Sequence, residues 1–398
     1  MNAISPGTEL RQFVTPLWRV LAPLCVMVFA EFLAMGVMLR ALPGHVHAGL
    51  GFGTFLVGLV IGAQSWATLA TRHLAGTRTD RAGPKTTVAL GLLLSALAGL
   101  LSVMSAVVSG SMLSVAVLLL GRGVLGLGES FVITGALAWG VGLAGKERSG
   151  VVMAWVGIAM YGALAVGSPL GSMLGQHFGF IGVAAAAVIA PLLGLFAVPL
   201  VAPVEPAGGS RLAFHRVARL LWLPGLGLSL AALGFGAIAA FTSFLFEARG
   251  WANSSLAMSA FGAAYVLARL LFGGLPDRFG GARVAAASAA VAALGQLGLW
   301  LAPSSGAAVA AAALTSLGFS LAFPAFGVEA IRRVPPQNRG VALGAYSAFF
   351  DATMGVGVPM LGLAVSRWGA SAAFAAGALS AVTSLLIALS LVLRPVKP

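Results

Sequence analysis

The sequence predicts an all-α membrane protein of twelve transmembrane helices, arranged as two six-helix pseudo-symmetric bundles. Three observations carry that prediction. Charge is scarce: 23 Lys plus Arg and 10 Asp plus Glu in 398 residues, or 8%, against about 25% in soluble domains. Hydrophobic residues make up 59%, and mean hydropathy is +1.01. A soluble chain of this size needs a charged surface, so a soluble enzyme, a DNA-binding protein and a disordered tail are all excluded. Second, the apolar residues fall in runs of the roughly 20 that a helix needs to cross a bilayer. Third, the second half of the chain repeats landmarks of the first.

The first six spans read as 17–41, 53–74, 86–107, 112–141, 150–175 and 178–201. The first is too long for the 7–15-residue core of a signal peptide, and another span follows at once, so it is expected to be retained. A polar stretch runs from Pro203 to Arg219. The second six spans read as 220–246, 254–273, 283–302, 306–331, 340–365 and 369–393. The runs are Ala-, Leu- and Gly-rich without the period-2 alternation of a membrane barrel. The expected organisation is an N-terminal bundle over 1–202, a cytoplasmic linker over 203–219 and a C-terminal bundle over 220–398.

The cations test this layout. With the N-terminus in the cytoplasm, 19 of the 23 Lys and Arg lie in inner loops and flanks; only Arg40, Arg122, Arg249 and Arg367 do not. That bias is the positive-inside rule, and it places both termini in the cytoplasm. It also accounts for the net charge of +13 without nucleic acid, because the cations are spread along every inner loop rather than gathered on one face. Cys25 is the one cysteine, which excludes an intrachain disulfide and any metal site built on cysteines. His45 and His47 read as solvated loop residues, too few to hold a metal.

The repeat lies in two places. Gly76-x-x-x-Asp80-Arg81-x-Gly83 followed by Lys85 is echoed by Gly273-x-x-x-Asp277-Arg278-x-Gly280 followed by Arg283, with the two Asp 197 positions apart. Gly167 and Pro169 in span 5 are echoed by Gly357 and Pro359 in span 11, each 190 apart. Parallel repeats of this kind mark alternating-access transporters, with a substrate site between the halves.

These residues carry a resemblance. The Gly76–Lys85 loop resembles the signature between the second and third helices of the major facilitator superfamily. Arg122-x-x-x-Gly126-x-Gly128 in span 4 resembles that superfamily's second motif, common in proton-coupled antiporters. Three stretches, LPGHVH, SLAFPAFGVEAIRRVPPQNRG and AFFDATMGVGVP, look most like the bacterial YhhS-type branch, described as arabinose-efflux-like permeases. The resemblance implies the major facilitator fold, a bacterial cytoplasmic membrane, and a cavity lined by helices 1, 4, 7 and 10. It also implies that the Asp-Arg loops latch the cytoplasmic side in one conformation.

Charge inside a bilayer is costly and therefore points to function. Spans 3, 6, 9 and 12 contain none beyond Arg283, the first residue of span 9. Glu31 sits mid-span with no cation near it in sequence, which makes it a candidate proton carrier. Arg122 and Glu129 are seven apart on one face of span 4, roughly 10 Å along the axis, suited to flank a ligand or proton path. Asp351 is mid-span in span 11, a second proton site or a packing group. Glu329 has Arg332 and Arg333 three and four residues on, which suggests a local ion pair at i, i+4. Gly126 and Gly128 permit close helix approach, and Gly167, Pro169, Gly357 and Pro359 read as packing positions. Gln64, Trp66, Trp139, Trp155, Tyr161 and Tyr265 are possible cavity-lining groups.

No hydrolytic triad and no phosphate-cradling loop can be assembled, so neither an enzyme nor a cofactor is expected. The expected partners are a small-molecule substrate, protons and the lipid bilayer, with the chain working as a monomer. The expected function is proton-coupled efflux; uptake by the same fold and a non-transporting membrane sensor are the alternatives.

Overall fold

The structure is a computed structural model that describes residues 17–108, 110–145, 149–205, 214–334 and 339–393. The expected termini and the middle of the expected linker lie outside these residues. Among the described residues everything regular is helical. The helices are α1 (Leu17–Gly44), α2 (Thr54–Ala82), α3 (Pro84–Val107), α4 (Ser111–Ala144), α5 (Ser149–Leu195), α6 (Phe214–Leu220) and α7 (Trp222–Ala248). They continue as α8 (Ser255–Phe272), α9 (Leu275–Phe279), α10 (Gly281–Trp300), α11 (Ser305–Ile331), α12 (Arg339–Ala352), α13 (Val358–Trp368) and α14 (Ala372–Leu393).

Eleven stretches of helix among the described residues are long and apolar enough to cross a bilayer, and α5 accounts for two crossings. Its 47 residues contain Gly179 at φ 63°, ψ −165°, a conformation without steric cost only for glycine. A Cβ at Gly36 would lie 3.2 Å from Gly167, and one at Gly194 would lie 2.9 Å from Ala30. Gly167 and Gly194 would stand about 40 Å apart on a straight helix, yet they touch points of α1 only about 9 Å apart. The chain therefore doubles back at Gly179, and expected spans 5 and 6 are its two arms.

The repeat is built into the turns. Gly83 and Gly280 have φ 88° and 87°, and Gly179 and Gly369 have φ 63° and 84°. These are the same 197- and 190-residue offsets as the sequence echoes. One boundary differs from expectation. Hydropathy ends span 2 at 74 and makes Gly76–Lys85 a loop, but α2 continues to Ala82 and only Gly83 breaks it before Pro84 opens α3. Asp80 and Arg81 are thus on a helix. Hydropathy marks where the bilayer ends, whereas the helix runs on until a residue with positive φ stops it.

Span 11 is also interrupted. Between α12 and α13, Thr353–Gly357 forms a π-helical turn, a widened geometry often found at functional sites. Within each bundle small residues set the spacing. A Cβ on Gly126 would meet Ala67 of α2, and one on Gly128 would meet Gly91 of α3, so α4 is wedged between two backbones. Gly357 faces Leu233 of α7 as Gly167 faces α1. Pro169 is embedded in a continuous α5, while Pro359 opens α13.

Candidate proton and substrate site between the halves

The two bundles meet along two seams, α2 against α12 and α13, and α5 against α8. The first is a close crossing. Cβ atoms at Gly58 would lie 3.0 Å from the Pro359 Cα, and at Gly62 3.0 Å from the Met354 carbonyl. Thr54 donates its hydroxyl to the Gly362 carbonyl at 3.1 Å, and the Trp66 indole donates to the Gly355 carbonyl at 2.8 Å. The π turn leaves the carbonyls of Met354 and Gly355 facing α2, because their helical ladder is displaced there.

Beyond Trp66 the seam ends in an ion pair. The Arg72 Nε donates to Asp351 Oδ2 at 2.5 Å, with the side chains 15% and 3% exposed. This pair joins the halves across 279 residues of sequence. By sequence Arg72 reads as an inner-flank cation; it is instead buried against the opposite bundle.

Glu129 of α4 stands beside this pair, within electrostatic range of both Arg72 and Asp351. Its Oε2 accepts from the Gln64 amide at 2.5 Å and from the Thr68 hydroxyl at 3.3 Å. Gln64, Thr68 and Arg72 recur every four residues and so form one polar stripe along α2. That spacing was the available signal for Arg72 and Thr68.

The other expected charges make no hydrogen bond to this network, although Arg122 and Glu31 both lie within electrostatic range of Glu129. Arg122 is buried and donates to the carbonyls of Val60 at 3.2 Å and Ile61 at 3.4 Å, with its Nη1 unpartnered among the described residues. Glu31 is buried inside the N-terminal bundle next to the Ser95 hydroxyl of α3, and its Oε2 has no partner among the described residues. The structure thus brings Glu129 and Asp351 together with Arg72, and leaves Glu31 in the bundle interior.

The second seam is aromatic. The Ser168 hydroxyl donates to the Ser255 carbonyl at 3.3 Å, and Ser259 donates to the Ala165 carbonyl at 3.0 Å. Tyr161 of α5 stacks on Tyr265 of α8 with ring centroids 3.6 Å apart. Arg269 donates from Nη2 to the Tyr265 hydroxyl at 2.9 Å and lies 5.4 Å from its ring centroid. Phe235, Phe261 and Phe319 close around Tyr161 at about 6 Å.

The remaining landmarks fall elsewhere. Arg81, Arg278 and Arg283 are exposed, and the side chain of Asp277 lies outside the described residues. Gly76 and Gly273 sit on or beside the ends of α2 and α8. Lys85 donates to the Val201 carbonyl at 2.8 Å and the Trp139 indole to the Ala202 carbonyl at 2.7 Å, which ties down the chain as it leaves the first bundle. Glu329 accepts from the Ala282 amide at 3.1 Å in the first turn of α10, where the helix dipole favours an anion. Its ion pair is with Arg332 at i+3, 3.5 Å, rather than at i+4. His45 opens a π-helical turn, His45–Gly49, and stacks on Phe180 at 3.7 Å rather than standing free in a loop. No cluster of three metal-binding side chains exists among the described residues.

A duplicated helical membrane bundle with a buried ion pair spanning its halves has the architecture of a secondary transporter. The Major Facilitator Superfamily model matches residues 24–252 and 224–398, and the chain belongs to that family. It is 43% identical to an uncharacterized MFS-type transporter of Pseudomonas aeruginosa (strain UCBPP-PA14), over 93% of this chain and 92% of that one. It is 42% identical to an uncharacterized MFS-type transporter of Salmonella typhimurium, over 84% and 87%. Among solved structures it is similar in fold to the human organic anion transporter MFSD10, with TM-score 0.74 and 15% identity over 94% of this chain and 100% of that one. It is likewise similar to a mutant form of the nucleoside transporter NupG, with TM-score 0.75 and 14% identity over 95% and 100%.

Proposed function

We propose that this multi-pass membrane protein is a proton-coupled antiporter that exports a small organic solute across a bacterial cytoplasmic membrane, working as a monomer with both termini inside. The observation that carries the reading is the Arg72–Asp351 pair, buried between the halves with Glu129 beside it. A carboxylate at Asp351 holds the seam shut through Arg72. A proton on Asp351 removes one charge and leaves Arg72 to find another partner, so the seam loosens. Separating a buried pair costs about 3–5 kcal/mol. One proton moving down 100 mV is worth about 2.3 kcal/mol, less than that cost, so the rest is recovered as Arg72 takes another partner in the opened seam.

In this cycle the proton enters from outside, Asp351 releases it as the pair with Arg72 re-forms, and solute then loads from the cytoplasm. Glu129 is the relay, and the stacked Tyr161–Tyr265 seam is the part that solute binding displaces. The test is flux in proteoliposomes carrying an internal pH dye. An outward proton gradient is expected to drive solute exchange in wild type and to fail in Asp351→Asn. Proton-driven exchange that survives Asp351→Asn would overturn the assignment.

Arg269 favours a second reading. It is a cation with no acid beside it among the described residues. Protonating Asp351 makes the seams more positive and strengthens the hold on an anion, which is the sign of proton symport and hence uptake. The same vesicles separate the two: protons move against solute in export and with it in uptake.

A further inference from the structure

The two repeats place matching positions in the two seams. Adding 197 to Arg72 gives Arg269, and subtracting 190 from Asp351 gives Tyr161. These are the offsets that the turn glycines confirm in space. Each seam therefore presents a basic residue from the second helix of one half to the fifth helix of the other. In one seam the basic residue meets a carboxylate, Arg72 with Asp351 at 2.5 Å. In the other, a phenol stands where the carboxylate would be.

Arg269 is left incompletely satisfied. Nη2 donates to Tyr265, but Nε is buried with no hydrogen-bond partner among the described residues. Arg332–Glu329 and Arg72–Asp351 use two of the acids of the membrane region, and Glu129 lies in range of Arg72 and Arg122. Arg269, by contrast, forms no ion pair with an acid among the described residues, so an anionic group brought by a solute has a place beside it. A guanidinium fork is the side chain best shaped for a carboxylate, which it takes through two parallel hydrogen bonds. Next to it stand Tyr161, Tyr265, Phe235, Phe261 and Phe319, all buried, which welcome an apolar or aromatic body.

We propose that the solute is an amphipathic organic anion whose carboxylate pairs with Arg269 while its apolar part lies among Tyr161, Tyr265 and Phe319, so that the solute itself brings the acid that the repeat places at Asp351 in the other seam. The proposal rests on the reading that the chain moves a small solute; it does not depend on the direction. It explains why Tyr161 is not an acid. A permanent carboxylate there would neutralise Arg269 and lock the second seam as the first is locked.

The test uses the full chain in lipid nanodiscs and in liposomes, with three isosteric probes: 1-naphthoate, 1-naphthamide and 1-naphthylmethylammonium. The carboxylate is expected to bind wild type about tenfold or more tightly than the amide, the scale of a charge-assisted hydrogen bond, and the ammonium is expected not to bind. Arg269→Gln is expected to erase the preference for carboxylate over amide, and Arg269→Lys to keep part of it. Tyr161→Asp is expected to raise the melting temperature of the unliganded protein and to abolish carboxylate binding, because the new acid occupies Arg269. A carboxylate preference that persists in Arg269→Gln, or a wild type that prefers the amide or the ammonium, overturns the proposal. If the amide or ammonium is also carried across liposomes, the transport reading stands while the anion assignment falls. If the carboxylate binds through Arg269 but none of the three is carried, the anion site stands and the transport reading falls.

Discussion

Replacing Asp351 with Asn tests the first seam through its energetics. In the native protein the Arg72 guanidinium and the Asp351 carboxylate are 2.5 Å apart, and the acid is 3% exposed. Asn keeps the size and one acceptor oxygen but removes the charge, so Arg72 is left buried without a countercharge. Breaking a buried pair from one side costs about 3–5 kcal/mol, or roughly a hundredfold or more in the equilibrium between seam closed and seam open. Because the partners belong to different halves, the penalty falls on the closure of the halves rather than on the folding of either one. The assay is cross-linking of Trp66→Cys to Gly355→Cys in a Cys25→Ala background. Those two positions touch across the seam near Arg72, the Trp66 indole donating to the Gly355 carbonyl at 2.8 Å. The atoms nearest a Cβ at Gly355 are those of the Trp66 side chain, which the first substitution removes, and Cys25 is the one native thiol. Asp351→Asn is expected to cut the cross-linking yield sharply while the circular dichroism of the helices is unchanged. Adding Arg72→Gln is expected to restore most of the yield, because the uncompensated cation is then gone. A double variant no better closed than Asp351→Asn alone would refute the reasoning, since the pair would then not be what holds the seam.

Gly126→Ala is expected to lower the melting temperature in detergent by the effect of about 1–3 kcal/mol typical of overpacking, because the new Cβ meets Gln64, Ala67 and Thr68 of α2; Gly123→Ala, which meets nothing within 4 Å, is expected to leave it unchanged. Gly83→Ala and Gly280→Ala are expected to destabilise by similar amounts, about 1–3 kcal/mol each, since they combine φ of 88° and 87° with ψ of 155° and 142°; Gly76→Ala, helical and in open space, is the comparison, expected to stabilise by up to about 1 kcal/mol. Glu329→Ala is expected to cost about 1 kcal/mol or more in thermal melts through loss of the anion at the start of α10, with Glu329→Gln recovering part of it by keeping the acceptor. A loss of the same size in Glu329→Gln and Glu329→Ala would instead assign the whole effect to the charge.

The spans were legible because a bilayer imposes one demand, a run of apolar residues of fixed length, and each run in this chain meets it independently of the others. The repeat was legible for a related reason: glycine is required wherever the backbone takes positive φ, so Gly83 and Gly280 had to keep their spacing. The end of α2 was not legible, because its last two turns are polar yet still helical. The seams were harder still. Arg72 lies two residues from the apparent end of an apolar run and looks like any inner-flank cation, and nothing local names a partner 279 residues away. Two signals short of a structure pointed to it. One is the spacing of Gln64, Thr68 and Arg72, which places three polar groups on one face of a helix that should show lipid or neighbours only apolar ones. The other is the repeat offset, which carries Arg72 onto Arg269 and so pairs two cations that topology alone would scatter. A flank cation has no reason to recur in register in both halves, since any position in the same loop satisfies the positive-inside rule. Recurrence at one register is what a seam requires, because each half must present its second helix to the other at the same depth. Asp351 has Tyr161 as its counterpart, so the register also locates a point where the two seams differ in charge.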